Sequence, residues 1–255
     1  MSGSEHTREL LELFRKRSAE LAPVDVLRQY EHDRFVRPAP LDPTRRGDVE
    51  RLAFSLLPDD FERVELSPLA PLGTTAVLGG LSQDWAVATA RGTEVLSDVT
   101  NVLALEAAAR RRRSRDEVNL AASARVTRPQ APACAGQLAH FGLLGLVSAG
   151  RGERWKDWEL RKATEHVRFY RELLQALGAE DVEVRVGGGL ELDVAATNDP
   201  EERPYYAGGW FSIDVGGGNV ADGGFVDWTW KLLSDRKERC LISGAGIERL
   251  AALTT

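Results

Sequence analysis

Residues 240–250 read CLISGAGIERL, a run of apolar and small side chains that passes Gly244 and Gly246 into Ile247, Glu248, Arg249 and Leu250. The first half has the length and character of a short, buried strand, and the second half starts a helix. Working back along the chain, WFSIDVG (210–216), LELDVAA (190–196) and VEVRVG (182–187) read as strands of the same kind. A helix from about Asp157 to Leu177 precedes them and stops at Gly178, a helix-ending glycine. HFGLLGLVSAG (140–150) and LAASARVT (120–127) read as two more strands, joined by a loop with Pro129, Pro132 and Gly136. NVLALEAAARRRR (101–113) is helical by propensity. WAVATA (85–90) and TAVLGG (75–80) are strand candidates around a Gly-Gly turn, and FERVELSPL (61–69) alternates apolar and polar before closing at Pro68. Strands thus cluster from residue 61 onward without regular strand–helix alternation. That pattern predicts an α+β fold, an antiparallel β-sheet flanked by helices.

The first 35 residues read differently. Leu10, Leu11, Leu13 and Phe14 recur at helical spacing, with charges on the other faces. Pro38, Pro40 and Pro43 form an extended connector, followed by a short helix with Val49, Leu52, Ala53, Leu56 and Leu57, capped by Thr44 or Asp48 and ended by Pro58. The expected division is an N-terminal helical arm and connector over 1–43 and a core over 44–255. Arg110 to Arg113 close a helix where cations complement the dipole, so they read as a solvated helix end rather than an RNA contact.

Composition excludes several classes of function. Over 255 residues, 43% are hydrophobic and 28% charged, which suits a globular protein. No stretch approaches the roughly 18–20 apolar residues of a membrane helix. The N-terminus MSGSEHTRELLELFRKR carries charge where a secretion signal has an apolar core, so the expected location is the cytoplasm. Cys134 and Cys240 match no metal-ligand spacing, and neither a zinc site nor any other metal site is expected. Net charge is −6, which argues against nucleic-acid binding through bulk charge. Of four histidines, His6 and His32 fall in the arm and His166 on a helix, at the surface or in packing. His140, beside Phe141, is the one placed to face a site. Glycines recur in the C-terminal third beyond what turns require, as where a backbone approaches a ligand closely. In SGAGIERL a guanidinium at a helix start suits phosphate or a nucleotide ring.

Taken together, these islands resemble the catalytic core of class II aminoacyl-tRNA synthetases, most of all the histidyl branch. FERVELSPL is similar to the first class II motif, a strand ending in proline that in the family belongs to a dimer interface. SDVTNVLALE, with Asp98 and Thr100, resembles the acidic-x-Thr element that holds the amino acid. ARVTRPQ followed by HFGLLG resembles the second motif, and SGAGIERL the third. RPYYAGGWFSIDVGGG (203–218) is similar to the tyrosine pair and glycine run of the histidyl pocket. The resemblance spans residues 61–250 in the family's order.

The resemblance implies roles residue by residue. Arg125 would grip the ATP α-phosphate and Arg249 the base and terminal phosphates, both converging on one polyphosphate; these two are the catalytic candidates. Thr127, Arg128, Gly244, Gly246 and Glu248 complete the ATP-binding set. Asp98, Thr100, His140, Tyr205, Tyr206 and Gly216, Gly217 and Gly218 make the substrate-binding set. ATP with Mg2+ is the implied cofactor, an amino acid or related carboxylate the small-molecule partner, and a homodimer the assembly.

Departures from the pattern narrow the function. Thr127 stands where the second motif has a glutamate, Leu143 where the histidyl enzyme has a glutamine, and Glu201 where an arginine precedes the tyrosines, unless a gap brings in Arg203. The loop APACAGQLA lacks an assisting arginine. An anticodon-binding domain needs on the order of 100 residues beyond Arg249, so anticodon-dependent tRNA charging is not expected. Two functions fit: a stand-alone core that forms an acyl-adenylate, or a non-catalytic, ligand-sensing paralogue similar to the regulatory subunit of ATP phosphoribosyltransferase.

Overall fold

A computed structural model describes residues 3–130, 138–152 and 155–253. The chain forms two compact units, one of residues 1–40, 67–98 and 125–141 and the other of residues 41–66, 99–124 and 142–255.

The second unit holds most of an eight-stranded sheet. Its elements are α3 (Pro43–Leu56), β1 (Glu62–Arg63), α4 (Val99–Arg113), β4 (Val118–Thr127), β5 (His140–Arg151), α5 (Trp155–Ala176), β6 (Val182–Gly187), β7 (Thr197–Asn198), β8 (Trp210–Val215), β9 (Gly218–Val226), α6 (Trp228–Leu233), β10 (Glu238–Gly246) and α7 (Ile247–Ala251). The strand order is β1-β4-β5-β10-β9-β8-β6-β7. β10 runs antiparallel to both β5 and β9, and β8 to β9 and β6; the two-residue strands β1 and β7 pair in parallel with β4 and β6. The α+β expectation is met.

Alternation along the strands gives the sheet two faces. One face carries Leu144, Leu146, Phe211, Ile213, Leu241 and Ala245, packed with Val167, Tyr170, Leu173 and Leu174 of α5 and Val49 and Ala53 of α3. His166 is fully buried there, between Ser148 Oγ (3.0 Å) and Ser243 Oγ (2.8 Å). Burial, helped by the charge of Lys162, pushes its imidazole down to about 3. On the other face α4 lies against Gly145, where an added Cβ would come within 2.8 Å of Val99 Cγ1.

Several elements differ from the sequence reading. α3 is capped by Asp42, whose side chain accepts from Thr44 N, not by Thr44 or Asp48. FERVELSPL contributes only the two residues of β1 and, at Leu69, the first of a second short strand. LELDVAA is not a strand, and β9 and α6 fall in stretches that carried no such reading. The arginine run is not wholly solvated. Arg111 is buried and gives Nε and Nη2 to the two oxygens of Glu238, at 2.9 and 2.8 Å. Arg110 pairs with Glu62 and Glu106.

The first unit contains α1 (Gly3–Ala19), α2 (Pro23–His32) and an antiparallel pair, β2 (Leu69–Pro71) with β3 (Thr93–Val95). TAVLGG is no strand: residues 74–78 wind into a π-helical turn. WAVATA is no strand either and contributes a single bridge, Ala88 to Glu94. At TAVLGG the cause is Glu94, whose buried carboxylate accepts from Thr75 N (2.8 Å), Thr75 Oγ1 (2.6 Å), Gly73 N (2.9 Å) and Gln83 Nε2 (2.8 Å). Burial raises its pKa, but these hydrogen bonds outweigh burial and hold it below the ordinary value.

Candidate functional site

In the second unit, cross-strand register places Arg185 (β6), Ser212 (β8), Asp222 (β9), Gly244 (β10) and Gly145 (β5) directly opposite one another in turn. They therefore share a face, the one opposite the α5 core. This polar row crosses five strands. At its Arg185 end the guanidinium is clamped by Asp214 (Nε–Oδ2 2.8 Å) and Asp199 (Nη1–Oδ2 2.8 Å). Ser212 accepts from Asn219 Nδ2 at 3.0 Å.

Tyr206 stands over the row. Its hydroxyl donates to Asp222 Oδ1 at 3.2 Å, and its ring lies so close to β9 that a Cβ at Gly224 would meet Tyr206 Cδ1 at 2.5 Å. Glycine at 224 is thus a condition of the tyrosine's position. Tyr205 packs edge-on against Tyr206 (5.2 Å) and Trp228 (6.1 Å). Arg203 stacks over the Trp210 ring at 3.9 Å. That ring also crosses Gly187, where a Cβ would come within 2.4 Å of it.

Arg249, the first side-chain-bearing cation after β10, is exposed and donates Nη1 to Asn219 O at 3.0 Å. Because Asn219 also reaches Ser212, Arg249 is tied to the polar row through one intermediary residue. The neighbouring Glu248, expected at ATP, accepts from Gly142 N at 2.8 Å and anchors α7 to β5. Gly246 caps α7, and Gly244 sits within the row with ordinary room for a Cβ, 3.4 Å from Leu144 O. Thr100 is buried at the start of α4. Gly216 and Gly217 have φ of +58° and +79° and with Gly218 make the exposed reversal between β8 and β9; the turn itself accounts for these glycines.

The remaining predicted residues lie in the first unit. Asp98, expected to hold a substrate ammonium, forms an ion pair with Arg128 at 3.0 Å, and Arg128 also donates to Ser97 O. Arg125 donates Nε to His140 Nδ1 at 2.8 Å, and His140 Nε2 lies 2.7 Å from Arg37 O. Thr127 N donates to Leu96 O. Residues 131–137, with Cys134 and most of the loop predicted to lack an arginine, lie outside the described residues. Cys240 is a buried free thiol.

The sequence reading missed Arg185, Ser212, Asp214, Asn219 and Asp222. One signal was available: in WFSIDV the polar Ser212 and Asp214 recur every second residue inside a run otherwise fit for burial, as on a strand with one polar face. Among the described residues, no group of three or more His, Cys, Asp or Glu side chains is arranged to hold a metal ion, and no helix is long and apolar enough to cross a membrane.

No protein-family model matches the sequence, and no curated protein matches it. Solved structures do match. An ATP phosphoribosyltransferase regulatory subunit/histidyl-tRNA synthetase from Bacillus halodurans aligns over 87% of this chain and 82% of its own, with a TM-score of 0.69 and 14% identity. Apo histidyl-tRNA synthetase of S. aureus aligns over 87% of this chain and 68% of its own, at 0.66 and 12%. Pyrrolysyl-tRNA synthetase from Desulfitobacterium hafniense aligns over 89% and 72%, at 0.61 and 15%. The chain has the fold of the class II aminoacyl-tRNA synthetase core, as found in the histidyl branch.

Proposed function

We propose that this protein activates an amino acid or a related carboxylate with ATP, forming an acyl-adenylate. In that reaction a carboxylate oxygen attacks the α-phosphorus in line, an acyl–phosphate bond forms, and the bond to the β-phosphate oxygen breaks to release pyrophosphate. Negative charge builds on the phosphoryl oxygens, and fixed guanidinium groups stabilise it. The observation that carries the reading is Arg249, exposed yet held by Asn219 beside a polar row roofed by Tyr206. Asp222 offers a carboxylate to a substrate ammonium, while the rings of Tyr205 and Tyr206 supply flat apolar area. Arg125 takes the α-phosphate on the strength of the motif alone. Mg2+ would arrive with the nucleotide, and no step is assigned to it. We propose further that the protein works as a homodimer.

A second reading, a ligand-sensing paralogue without chemistry, is favoured by two observations. Thr127 replaces the second motif's glutamate, and the Asp98 carboxylate is engaged by Arg128. ATP–pyrophosphate exchange across a panel of amino acids separates the two. Turnover is expected, with Arg249→Ala and Arg125→Ala each lowering it by two orders of magnitude or more, since one such transition-state contact contributes roughly 3 kcal/mol. Unchanged exchange in both variants overturns the arginine assignment. No exchange with any amino acid, together with a thermal shift by ATP or an amino acid, supports the sensor.

A further inference from the structure

The second unit contains a cavity of about 470 Å3 that shares no residue with the polar row. It lies where β9 ends and β10 begins, against the first turns of α5, and is closed on one side by two loops. Those loops are pressed together by glycine. A Cβ at Gly188 would come within 2.7 Å of Gly208 O, and one at Gly209 within 2.7 Å of Leu190 Cβ. The resulting wall is backbone, with Leu160, Phe225 and Trp230 adding apolar surface.

One lining carboxylate is left short of donors. Glu159 is only 6% exposed; its Oε1 is ion-paired with Arg239 Nε at 3.4 Å but accepts no hydrogen bond. A buried carboxylate oxygen with an unused acceptor site costs stability unless something donates to it. Burial pushes this carboxyl up to about 7, against the pull of Arg239. A donor that carried positive charge would restore the ionised form. The lining agrees in sign: of its five carboxylates Glu238 is held by Arg111 and Asp227 by Lys231, which leaves Asp157, Glu159 and Glu191 against two guanidinium groups.

We propose that this cavity is a second ligand site, which takes an organic amine with an aromatic or hydrocarbon body and pairs its ammonium with Glu159. The body lies against Phe225, Leu160 and Trp230, and the head reaches the carboxylate. An anion of the same shape is rejected by the same charge, and a neutral alcohol can offer only an uncharged hydrogen bond.

Calorimetric titration of the full chain with benzylamine, benzyl alcohol and benzoate tests this. Saturable one-to-one uptake of benzylamine is expected, at least tenfold tighter than uptake of either isostere. Glu159→Gln should weaken it tenfold or more. Leu160→Lys places a cation at the same wall from a position 39% exposed, where folding is undisturbed, and should weaken it likewise. Absence of saturable benzylamine uptake, equal uptake of benzoate, or full affinity in Leu160→Lys overturns the proposal; should Glu159→Gln not fold, Leu160→Lys decides. None of these results bears on adenylate formation, since the substitutions lie outside the polar row.

Discussion

His166 shows how much one side chain's surroundings decide. Its ring is sealed between two serine hydroxyls and Phe61, and it stays neutral because burial penalises the imidazolium. In the unfolded chain it protonates near 6.5. Between that value and about 3 the unfolded state binds the extra proton, so its contribution to stability is complete above pH 6.5 and shrinks as pH falls. Urea denaturation from pH 7 to pH 4 should therefore show wild type losing up to about 1.4 kcal/mol per unit more than His166→Gln. Parallel pH profiles would contradict the assignment. Its sequence reading, surface or packing, resolves to packing. Burial could not be read from HVRFY because it depends on Ser148 and Ser243, which α5 meets only in the folded sheet.

At the scale of elements, two glycines that face each other across β5 and β10 have opposite reasons. Gly145 is a packing requirement: an added methyl would run into Val99 and, at 3.2 Å, Thr100 Cγ2. Gly145→Ala should cost about 1–3 kcal/mol by pushing α4 off the sheet. Gly244→Ala meets only ordinary contacts and should cost less than 1 kcal/mol, about the reach of a volume-tolerant change. Equal losses in thermal unfolding would refute the distinction. Long elements were legible for a physical reason. The periodic apolar stripes of α5 and β5 exceed what local competition can overturn. TAVLGG has strand propensity as well, but the buried Glu94 offers Gly73 N, Thr75 N and the Gln83 side chain better acceptors than a neighbouring strand. Such capture by a distant side chain leaves no trace in local pattern.

For the molecule as a whole, the expected homodimer should sediment at twice 28.0 kDa at micromolar concentration, and a species of 28.0 kDa would contradict it. The apolar side chains Val49, Ala53 and Phe61 lend it no support, since they are spent within the core. The candidate site was half legible. Arg249 and the tyrosine pair announce themselves by motif, whereas Asp222 and Ser212 become neighbours only through pairing between strands. Strand order was not legible, because nothing local in residues 238–246 tells that they insert between β5 and β9.

That insertion has a bearing on biosynthesis. The central strand of the sheet follows all its other strands in chain order, so β5 and β9 each present an open edge until it leaves the ribosome. A nascent chain paused before Glu238 holds two unjoined half-sheets, able to pair with another chain's edge, and the closing of the sheet waits on a contact that spans almost a hundred residues of sequence.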